Sequence, residues 1–281
     1  MSKIDNLNLS KEIAKQWHNH SDADNFKRNK QFLQSHVYQF DELSIDCTHW
    51  VFAHIPKTAG TSCENYLAQM FLLQDILHIN APDLNQLPEV ISLKNSVAKL
   101  ITGHHPMHGL LYQLLPNQKL VHLTLLREPV SRVVSYFNYL KSRDYHVMNP
   151  EVKNMDFDAF LQQPMVELTN GQARRLAGVL HSNEVVSDMD LYESAKTVLD
   201  NCFTLVGITE KLDDFIKLIE KKCDVKINRS QPKNPSSIII KPSDISHKQL
   251  EKIENKNKAD IMLYNYVKEV FTNLTHAALN Q

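Results

Sequence analysis

Short apolar runs alternate along the chain with segments that carry apolar residues at helical spacing. The apolar runs have the length of buried strands and occupy residues 50–54, 98–103, 119–126 and 202–208. The segments after three of these runs repeat apolar positions every three or four residues, which is typical of one-sided helices. Strands that alternate with helices predict an α/β domain whose central sheet is mainly parallel and is flanked by helices.

The helix predicted after the first strand covers residues 62–74. Thr61 and Glu64 form a T-x-x-E capping box, which predicts that this helix begins near Thr61. Pro129 suits the first turn of a later helix, because its missing N–H is not needed there. Residues 156–180 are predicted to be helical, and the C-terminal region is predicted to be helical with one polar interruption.

Composition limits the class of protein. The 281 residues include 31 basic and 32 acidic side chains, a formal net charge of −1, which does not favour a nucleic-acid partner or a membrane surface. No apolar run approaches the ~18 residues that span a bilayer, and the polar N-terminus lacks the apolar core of a signal peptide. The four cysteines lack C-x-x-C spacing and are interpreted as reduced thiols. We therefore expect a soluble, cytoplasmic and bacterial protein without a membrane span.

Residues 1–46 are polar and are predicted to form a partly helical N-terminal extension in front of a domain over residues 47–281. Only six glycines occur, and none lies in the first 59 or the last 74 residues. Glycine is therefore expected where the backbone needs positive φ or where a ligand approaches closely. Gly60 and Gly103 follow predicted strands, whose carboxyl ends are expected to converge on one ligand site.

The loop HIPKTAGTS, residues 54–62, runs from the first predicted strand into a predicted helix. The free N–H groups and the positive dipole end of a helix start favour an anion. The loop adds one full positive charge and three hydroxyl donors, from Lys57, Thr58, Thr61 and Ser62. Gly60 would let the backbone wrap closely around the anion. The alternative interpretation is an ordinary capped turn.

This loop differs from the Walker A motif G-x-x-x-x-G-K-[ST]. Its lysine precedes the glycine by three residues, and no upstream glycine opens the loop. No aspartate stands at a predicted strand end to hold Mg²⁺, because the apolar runs end in His54, Gly103, Arg127 and Gly207. The pattern predicts transfer chemistry on an anion without a bound metal.

Arg127 ends the third predicted strand, where its planar guanidinium could bind a phosphate through two hydrogen bonds. Ser135 follows eight residues later, about two helical turns into the next helix. The alternative interpretation of Arg127 is a surface ion pair with Glu128 or Asp144.

Taken in order, these elements resemble the sulfotransferases that use 3'-phosphoadenosine 5'-phosphosulfate (PAPS), and most of all the branch of heparan sulfate and other carbohydrate O-sulfotransferases. HIPKTAGTS resembles the family's loop for the 5'-phosphosulfate, and LREPVSRVVSYF resembles its 3'-phosphate element. ITGHHPMHG resembles the segment with the catalytic base, and NGQARRLAG resembles the family's N-x-Q-x-R-x-L-x-G segment. The resemblance covers roughly residues 50–270. It depends on the order and spacing of motifs that are each only moderately specific.

The resemblance implies a P-loop NTPase-like three-layer fold for the sulfotransferase domain and no required metal. Lys57 would contact the oxygen between phosphate and sulfate and would neutralise the product, adenosine 3',5'-bisphosphate (PAP). Residues 228–234 are expected to close over the nucleotide. The residues expected to bind the donor are Pro56, Lys57, Thr58, Ala59, Gly60, Thr61, Ser62, Arg127 and Ser135.

An acceptor hydroxyl is a weak nucleophile, so a base must take its proton as the new bond forms. Histidine suits this role because it titrates near neutral pH. The family pattern puts the base at His104, with His105 as the rival and His108 as a third alternative. The spacing H-H-x-x-H has no acidic or cysteine partner nearby, so we do not predict a metal site here.

The residues expected to contact the acceptor are Arg174 and His108. Arg175 is the alternative to Arg174, or it makes a surface salt bridge. The branch suggests a saccharide acceptor, and the near-neutral net charge favours one that is smaller or less charged than heparan sulfate. Lipid-linked sugars, small natural products and protein tyrosines remain open, as does the oligomeric state. Two other functions are weighed against sulfuryl transfer: a P-loop-type kinase or NTPase, and a non-catalytic nucleotide-binding scaffold.

Overall fold

A computed structural model describes residues 22–79, 98–105, 107, 112, 115, 119–144, 148–180, 185–229 and 239–279. Its centre is a five-stranded parallel sheet in the order β2-β3-β1-β4-β5. The strands are β1 (Trp50–Ala53), β2 (Ile76–His78), β3 (Leu100–Gly103), β4 (Val121–Leu126) and β5 (Leu205–Ile208). The predicted α/β fold with a central parallel sheet is confirmed.

Helices flank this sheet. The longer ones are α1 (Asp22–His36), α2 (Gly60–Leu67), α3 (Pro129–Ser142), α7 (Asp188–Cys202), α8 (Leu212–Cys223), α9 (His247–Lys256) and α10 (Lys258–Leu279). Three short ones, α4 (Asn149–Val152), α5 (Phe157–Phe160) and α6 (Gly171–Leu176), lie between α3 and α7. Short 3-10 turns cover Phe40–Glu42, Ala68–Met70, Leu73–Asp75, Val166–Leu168, Thr209–Lys211 and Pro242–Asp244.

Three of the five strands are buried at every position, namely β1, β3 and β4. This explains why they read as continuous apolar runs, because parallel strands are covered on both faces. Strand β2 is shorter and partly exposed, and no sequence signal predicted it. The runs predicted at 119–126 and 202–208 are longer than the observed strands β4 and β5. The second run starts at Cys202, which still belongs to α7.

The predicted T-x-x-E capping box is wrong. Helix α2 begins at Gly60, its N-cap is Ala59 in a left-handed conformation, and no side chain caps it. The Glu64 carboxylate accepts a hydrogen bond from His54 instead. The helix also ends at Leu67, and two 3-10 turns, Ala68–Met70 and Leu73–Asp75, follow where the 62–74 helix was predicted to continue.

The continuous helix predicted over 156–180 is also wrong. The structure has α5, a 3-10 turn and α6 there. Pro164 disfavours helical backbone at the residue before it, and Asn170 adopts a left-handed φ of 49° directly before α6. These two breaks outweigh the apolar spacing.

The described part of the predicted N-terminal extension packs onto the domain. Helix α1 lies within this segment, and Leu33 on it is fully buried. Beyond α1, the chain forms a parallel bridge between Val37 and Leu120, directly before β4. The polar composition of this segment concealed these buried positions. The proposed boundary between residues 46 and 47 stays a prediction.

Strand register places three loops at one edge of the sheet. The last residue of β1, Ala53, lies opposite Gly103 of β3 and Thr124 of β4. The Thr124 hydroxyl donates to the Ala53 carbonyl over 2.7 Å and ties the central strands together. The chain crosses from one side of β1 to the other, and such a crossing point is where parallel sheets bind ligands.

Among the described residues, no helix is both long and apolar enough to cross a membrane.

Gly103 is predicted to be essential for the fold at this edge. Its φ is 123°, and a Cβ atom there would lie 1.8 Å from the Ile79 carbonyl oxygen. We expect Gly103→Ala to lower the free energy of unfolding, measured with urea, by at least ~2 kcal/mol. The control is Ala53→Gly at the paired position, which should cost about 1 kcal/mol. Equal losses from the two variants would contradict this explanation.

Candidate active site

A cleft of about 780 Å³ opens at the carboxyl edge of β1, β3 and β4. It brings together most of the residues that the sequence singled out: Pro56, Lys57, Ala59, Gly60, Thr61, Ser62, His104, Arg127 and Ser135. A larger groove of about 1240 Å³ runs along α8 and α10 and contains none of these nine residues. Of the segment 228–234 that was expected to close over the nucleotide, Asn228 and Arg229 line this larger groove instead of the cleft, and residues 230–234 lie outside the described residues. The wall of the larger groove carries paired charges such as Lys217 with Asp214, so we place the candidate site in the smaller cleft.

The loop between β1 and α2 turns sharply. Lys57 and Ala59 have φ values of 70° and 61°, in the left-handed region that non-glycine residues seldom adopt. The Thr58 side chain is fully buried and its hydroxyl donates to the Ile55 carbonyl. The Thr58 hydroxyl therefore stabilises the turn and does not line the cleft, and donor binding by Thr58 stays a prediction.

Gly60 serves a different purpose from the one expected. It is not among the residues with positive φ. A Cβ atom on it would lie 1.9 Å from Cδ2 of His54, so glycine makes room for that imidazole ring. Thr61 and Ser62 line the cleft at the N-terminus of α2, where the first N–H groups of a helix have no intrahelical partner.

Lys57 places a partly buried ammonium group in the cleft. Its Nζ lies 4.2 Å from the centre of the Tyr139 ring, a cation–π contact. Burial, followed by the charges of Arg127 and Arg143, lowers the pKa of Lys57 to about 8. Within the described part of the chain, no carboxylate lies within salt-bridge distance of this ammonium. An incoming anion would supply the missing counter-charge.

Hydrogen bonds to the backbone of Arg127 hold this residue at the end of β4. The Gln172 side chain accepts from the Arg127 N–H and donates to the Arg127 carbonyl, both over 3.0 Å. The Arg127 guanidinium donates to the Lys57 carbonyl over 3.2 Å, which links the two loops. Burial lowers the pKa of Arg127, but an arginine remains charged at neutral pH.

The alternative ion pairs of Arg127 are not found. Glu128 caps α3, because its two carboxylate oxygens accept from the N–H groups of Val130 and Ser131. Asp144 instead pairs with Lys153 over 3.0 Å. Arg127 therefore faces the cleft without a carboxylate partner among the residues described, and Ser135 of α3 lines the same cleft.

His104 follows the end of β3 and lines the cleft. Its Nδ1 lies 2.9 Å from the His54 carbonyl oxygen, and a carbonyl can only accept, so Nδ1 carries the proton. The neutral ring then has its lone pair on Nε2, as a general base requires. Burial, and after it the charge of His54, lowers the pKa of His104 to about 4. His104 is therefore neutral at pH 7.

The other two candidate histidines differ in position. His105 is only 3% exposed and lies in the core, with its Nδ1 3.5 Å from the Tyr112 hydroxyl. It does not line the cleft, and burial lowers its pKa to about 3. His108 lies outside the described residues. Of the two candidates that the structure describes, only His104 reaches the cleft.

The structure places Arg175, rather than Arg174, on the cleft wall. Arg174 turns away and its guanidinium donates to the Val179 carbonyl. Arg175 pairs with Glu167, whose other carboxylate oxygen accepts from the fully buried Arg132 over 2.8 Å. Burial favours a neutral Glu167, but the two guanidinium groups hold its pKa below the usual value. The network keeps Arg175 at a fixed place beside the cleft.

The N-x-Q-x-R-x-L-x-G segment has mainly structural contacts. The Asn170 amide oxygen accepts from the N–H groups of Ala259 and Asp260 at the start of α10. Gln172 holds Arg127 in place, as described above, and Gly178 has a left-handed φ of 74°. The segment therefore acts on the cleft through its effect on other residues.

Several cleft residues were missed by the sequence analysis, including His54, Tyr136, Asn138, Tyr139, Glu167 and Lys241. Helical spacing from Ser135 would have found Ser131, Asn138 and Tyr139, which share one face of α3. Lys241 had no sequence signal, because its position depends on Asn138. The Asn138 side chain hydrogen-bonds the backbone of Ile239 and Ile240, directly before Lys241.

The described part of the chain contains no group of three His, Cys, Asp or Glu side chains arranged to hold a metal ion. The expectation that no metal is required stays a prediction.

Comparison with known proteins identifies the family. The model of the sulfotransferase family matches residues 45–267, and the chain belongs to this family. It is similar to heparan sulfate 2-O-sulfotransferase 1 of Gallus gallus, with 29% identity over 192 residues, 60% of this chain and 53% of the relative. The protein of that name from Homo sapiens gives the same values.

A more distant relative is heparin sulfate O-sulfotransferase of Drosophila melanogaster. It is 25% identical over 193 residues, which cover 61% of this chain and 54% of the relative. The chain thus spans about half the length of the curated relatives it matches. The resemblance inferred from the motifs is confirmed at the level of the family and its heparan sulfate branch.

The low pKa of Lys57 predicts that anion affinity depends on pH. The protonated form is the one that attracts an anion, so binding of PAP should be strongest below pH 8. It should weaken about tenfold between pH 7 and pH 9, as the protonated fraction falls through a pKa of about 8. Calorimetric titration checks this.

The matched control is Lys57→Arg, which keeps its charge across this range and should show a nearly flat profile. The same tenfold decline in the arginine variant would assign the pH dependence to another group.

Proposed function

We propose that this protein transfers a sulfuryl group from PAPS to a hydroxyl group of a saccharide acceptor. The observation that carries this proposal is the convergence of Lys57, Arg127 and His104 in one cleft of a chain that belongs to the sulfotransferase family. Each group meets a different requirement of the reaction. Lys57 neutralises charge, Arg127 binds the nucleotide, and His104 removes the acceptor proton.

The donor fits the residues present. Lys57 offers an ammonium without a carboxylate partner among the described residues, next to the N-terminus of α2. Arg127 and Ser135 lie on the β4–α3 side of the cleft and are the proposed contacts of the 3'-phosphate. A second phosphate contact of this kind would distinguish PAPS from nucleotides that carry only a 5'-phosphate chain.

In the proposed reaction, Nε2 of His104 takes the proton of the acceptor hydroxyl as its oxygen forms a bond to sulfur. The bond between sulfur and the bridging oxygen breaks, and its electron pair stays on the phosphate of PAP. Lys57 stabilises the negative charge that develops on this oxygen. The chemistry needs no covalent enzyme intermediate, so positioning and electrostatic stabilisation account for the rate enhancement.

The acceptor is proposed to be a saccharide because the relatives are named for heparan sulfate. Among the residues described, the cleft carries four cationic side chains, Lys57, Arg127, Arg175 and Lys241, and one carboxylate, that of Glu167. Lys57 and Arg127 are assigned to the donor, so Arg175 and Lys241 are the cations left to contact an anionic group near the acceptor hydroxyl. The near-neutral net charge of the chain favours a short acceptor. The proposed acceptor contact moves from Arg174 to Arg175, because only Arg175 reaches the cleft.

The test is an assay of labelled sulfuryl transfer from PAPS with EDTA present. Acceptors would be a heparan-type polysaccharide lacking O-sulfate, short fragments of it and a neutral oligosaccharide. We expect transfer to at least one saccharide and none with Lys57→Ala. No transfer to any saccharide, together with Mg²⁺-dependent ATP hydrolysis, would instead favour a kinase or NTPase.

Arg127 is predicted to discriminate between nucleotides. Arg127→Ala should weaken PAP binding about 10- to 100-fold, the loss typical of a charge-assisted hydrogen bond, and should change AMP binding little. Calorimetry with the two ligands measures the difference. Arg174→Ala, which removes a guanidinium outside the cleft, is the control. Equal losses of PAP and AMP affinity would contradict contact with the 3'-phosphate.

His104 is predicted to be the base. His104→Ala should lower kcat by about 10²–10⁴-fold and leave PAP affinity nearly unchanged. His105→Gln changes a core residue. It should lower the melting temperature, while the turnover of the protein that remains folded changes little. If His105→Gln or His108→Ala removes turnover while His104→Ala retains it, the base is assigned to the wrong residue.

A further inference from the structure

His54 makes two contacts with His104. Its main-chain carbonyl accepts from His104 Nδ1 over 2.9 Å. Its imidazole ring lies against the His104 ring with centroids 4.1 Å apart and planes tilted by 35°. The first contact fixes which nitrogen of His104 carries the proton, and the second restricts rotation of the ring. His54 therefore determines both the tautomer and the orientation of the proposed base.

Glu64 in turn holds His54. Its Oε1 lies 3.0 Å from His54 Nδ1, and the Glu64 side chain is only 13% exposed. An ionised carboxylate can only accept, so His54 Nδ1 carries its proton. Gly60 leaves the space that the His54 ring occupies. The glycine of the loop, the carboxylate of α2 and the ring of His54 thus form one packed unit beneath His104.

The charged and titratable groups described around this unit are His78, Cys63, His105 and Arg175. His78 lies 3.9 Å from Glu64 and hydrogen-bonds the Thr102 hydroxyl. The charge of Arg175 disfavours a proton on His104, whereas the charge of Glu64 favours one. A carboxylate mostly out of water stabilises a nearby cation more than an exposed one does. Glu64 is therefore placed to stabilise the imidazolium that forms when His104 takes a proton.

We propose that Glu64 and His54 are positioning residues for His104. The His54 carbonyl and ring hold the base with Nε2 free, and Glu64 fixes His54 and stabilises the protonated base. This inference rests on the proposed function, because it assigns a role to residues that support His104 in that reaction. It goes beyond the family motifs, in which neither residue was assigned a role.

Glu64→Gln separates charge from hydrogen bonding, since its amide oxygen still accepts from His54 Nδ1. We expect kcat to fall roughly tenfold, because the protonated base loses a counter-charge and one pKa unit of lost stabilisation corresponds to a factor of ten. Affinity for PAP and the melting temperature should stay close to those of the wild type. The acid limb of the kcat–pH profile should move to lower pH, because a base without its counter-charge binds its proton less tightly.

The matched control is Asp75→Asn. It removes one negative charge from a pair with Lys99 that lies outside the cleft, and it should leave kcat and its pH profile unchanged. Glu64→Asp shortens the side chain but keeps the charge, and should recover part of the lost turnover. A glutamine variant with wild-type kcat and an unmoved acid limb would overturn the proposal. A lower kcat with an unmoved limb and a lower melting temperature would reduce Glu64 to a structural role and also overturn it.

A second measurement does not depend on turnover. Nitrogen NMR of the histidine rings, assigned with His104→Gln, reports the tautomer and the pKa of His104. We expect the wild-type ring to carry its proton on Nδ1 and Glu64→Gln to lower its pKa. An unchanged pKa would overturn the charge effect of Glu64. If the wild type transfers no sulfuryl group, the proposed function fails, and this titration still decides whether the pair controls the proton on His104.

Discussion

The site depends on the ammonium group of Lys57, which is held partly out of water. Among the described residues, no carboxylate lies close enough to neutralise it. Burial of Lys57 favours loss of its proton, and an anion in the cleft would reverse that effect. The surrounding structure keeps the ammonium in place. Two left-handed residues bend the loop, the Tyr139 ring lies beneath the ammonium, and Arg127 binds the Lys57 carbonyl. These contacts build a cationic site before any nucleotide arrives, so less ordering is required on binding.

A buried ionic network joins this site to the remainder of the fold. Arg132 of α3 binds Glu167, and its other terminal nitrogen lies 3.8 Å from Asp260 of α10. Such networks contribute little net stability, but losing one partner leaves an uncompensated buried charge. Here the arrangement fixes Arg175 at the cleft and connects the α3 wall to α6 and α10. The same helices hold Gln172, which positions Arg127.

The sequence allowed the sheet and the loop to be predicted because their signals are local. Apolar runs marked β1, β3, β4 and β5, and the loop residues follow directly from the end of β1. Two features could not be predicted this way. The Glu64–His54 contact joins residues ten apart, and the same T-x-x-E spacing fits a helix cap equally well. Which of Arg174 and Arg175 faces the cleft depends on the rotation of α6 about its axis. That rotation is fixed by the left-handed residue Asn170 at the start of α6.

The proposed function requires that the cleft binds a nucleotide with two separate phosphates. Calorimetric titration of the wild-type protein with PAP, in EDTA and with AMP for comparison, tests it most directly because no acceptor is needed. We expect micromolar binding of PAP that is unaffected by EDTA and at least tenfold tighter than binding of AMP, a difference of about 1.4 kcal/mol. Absence of PAP binding, or equal affinity for the two nucleotides, would contradict it.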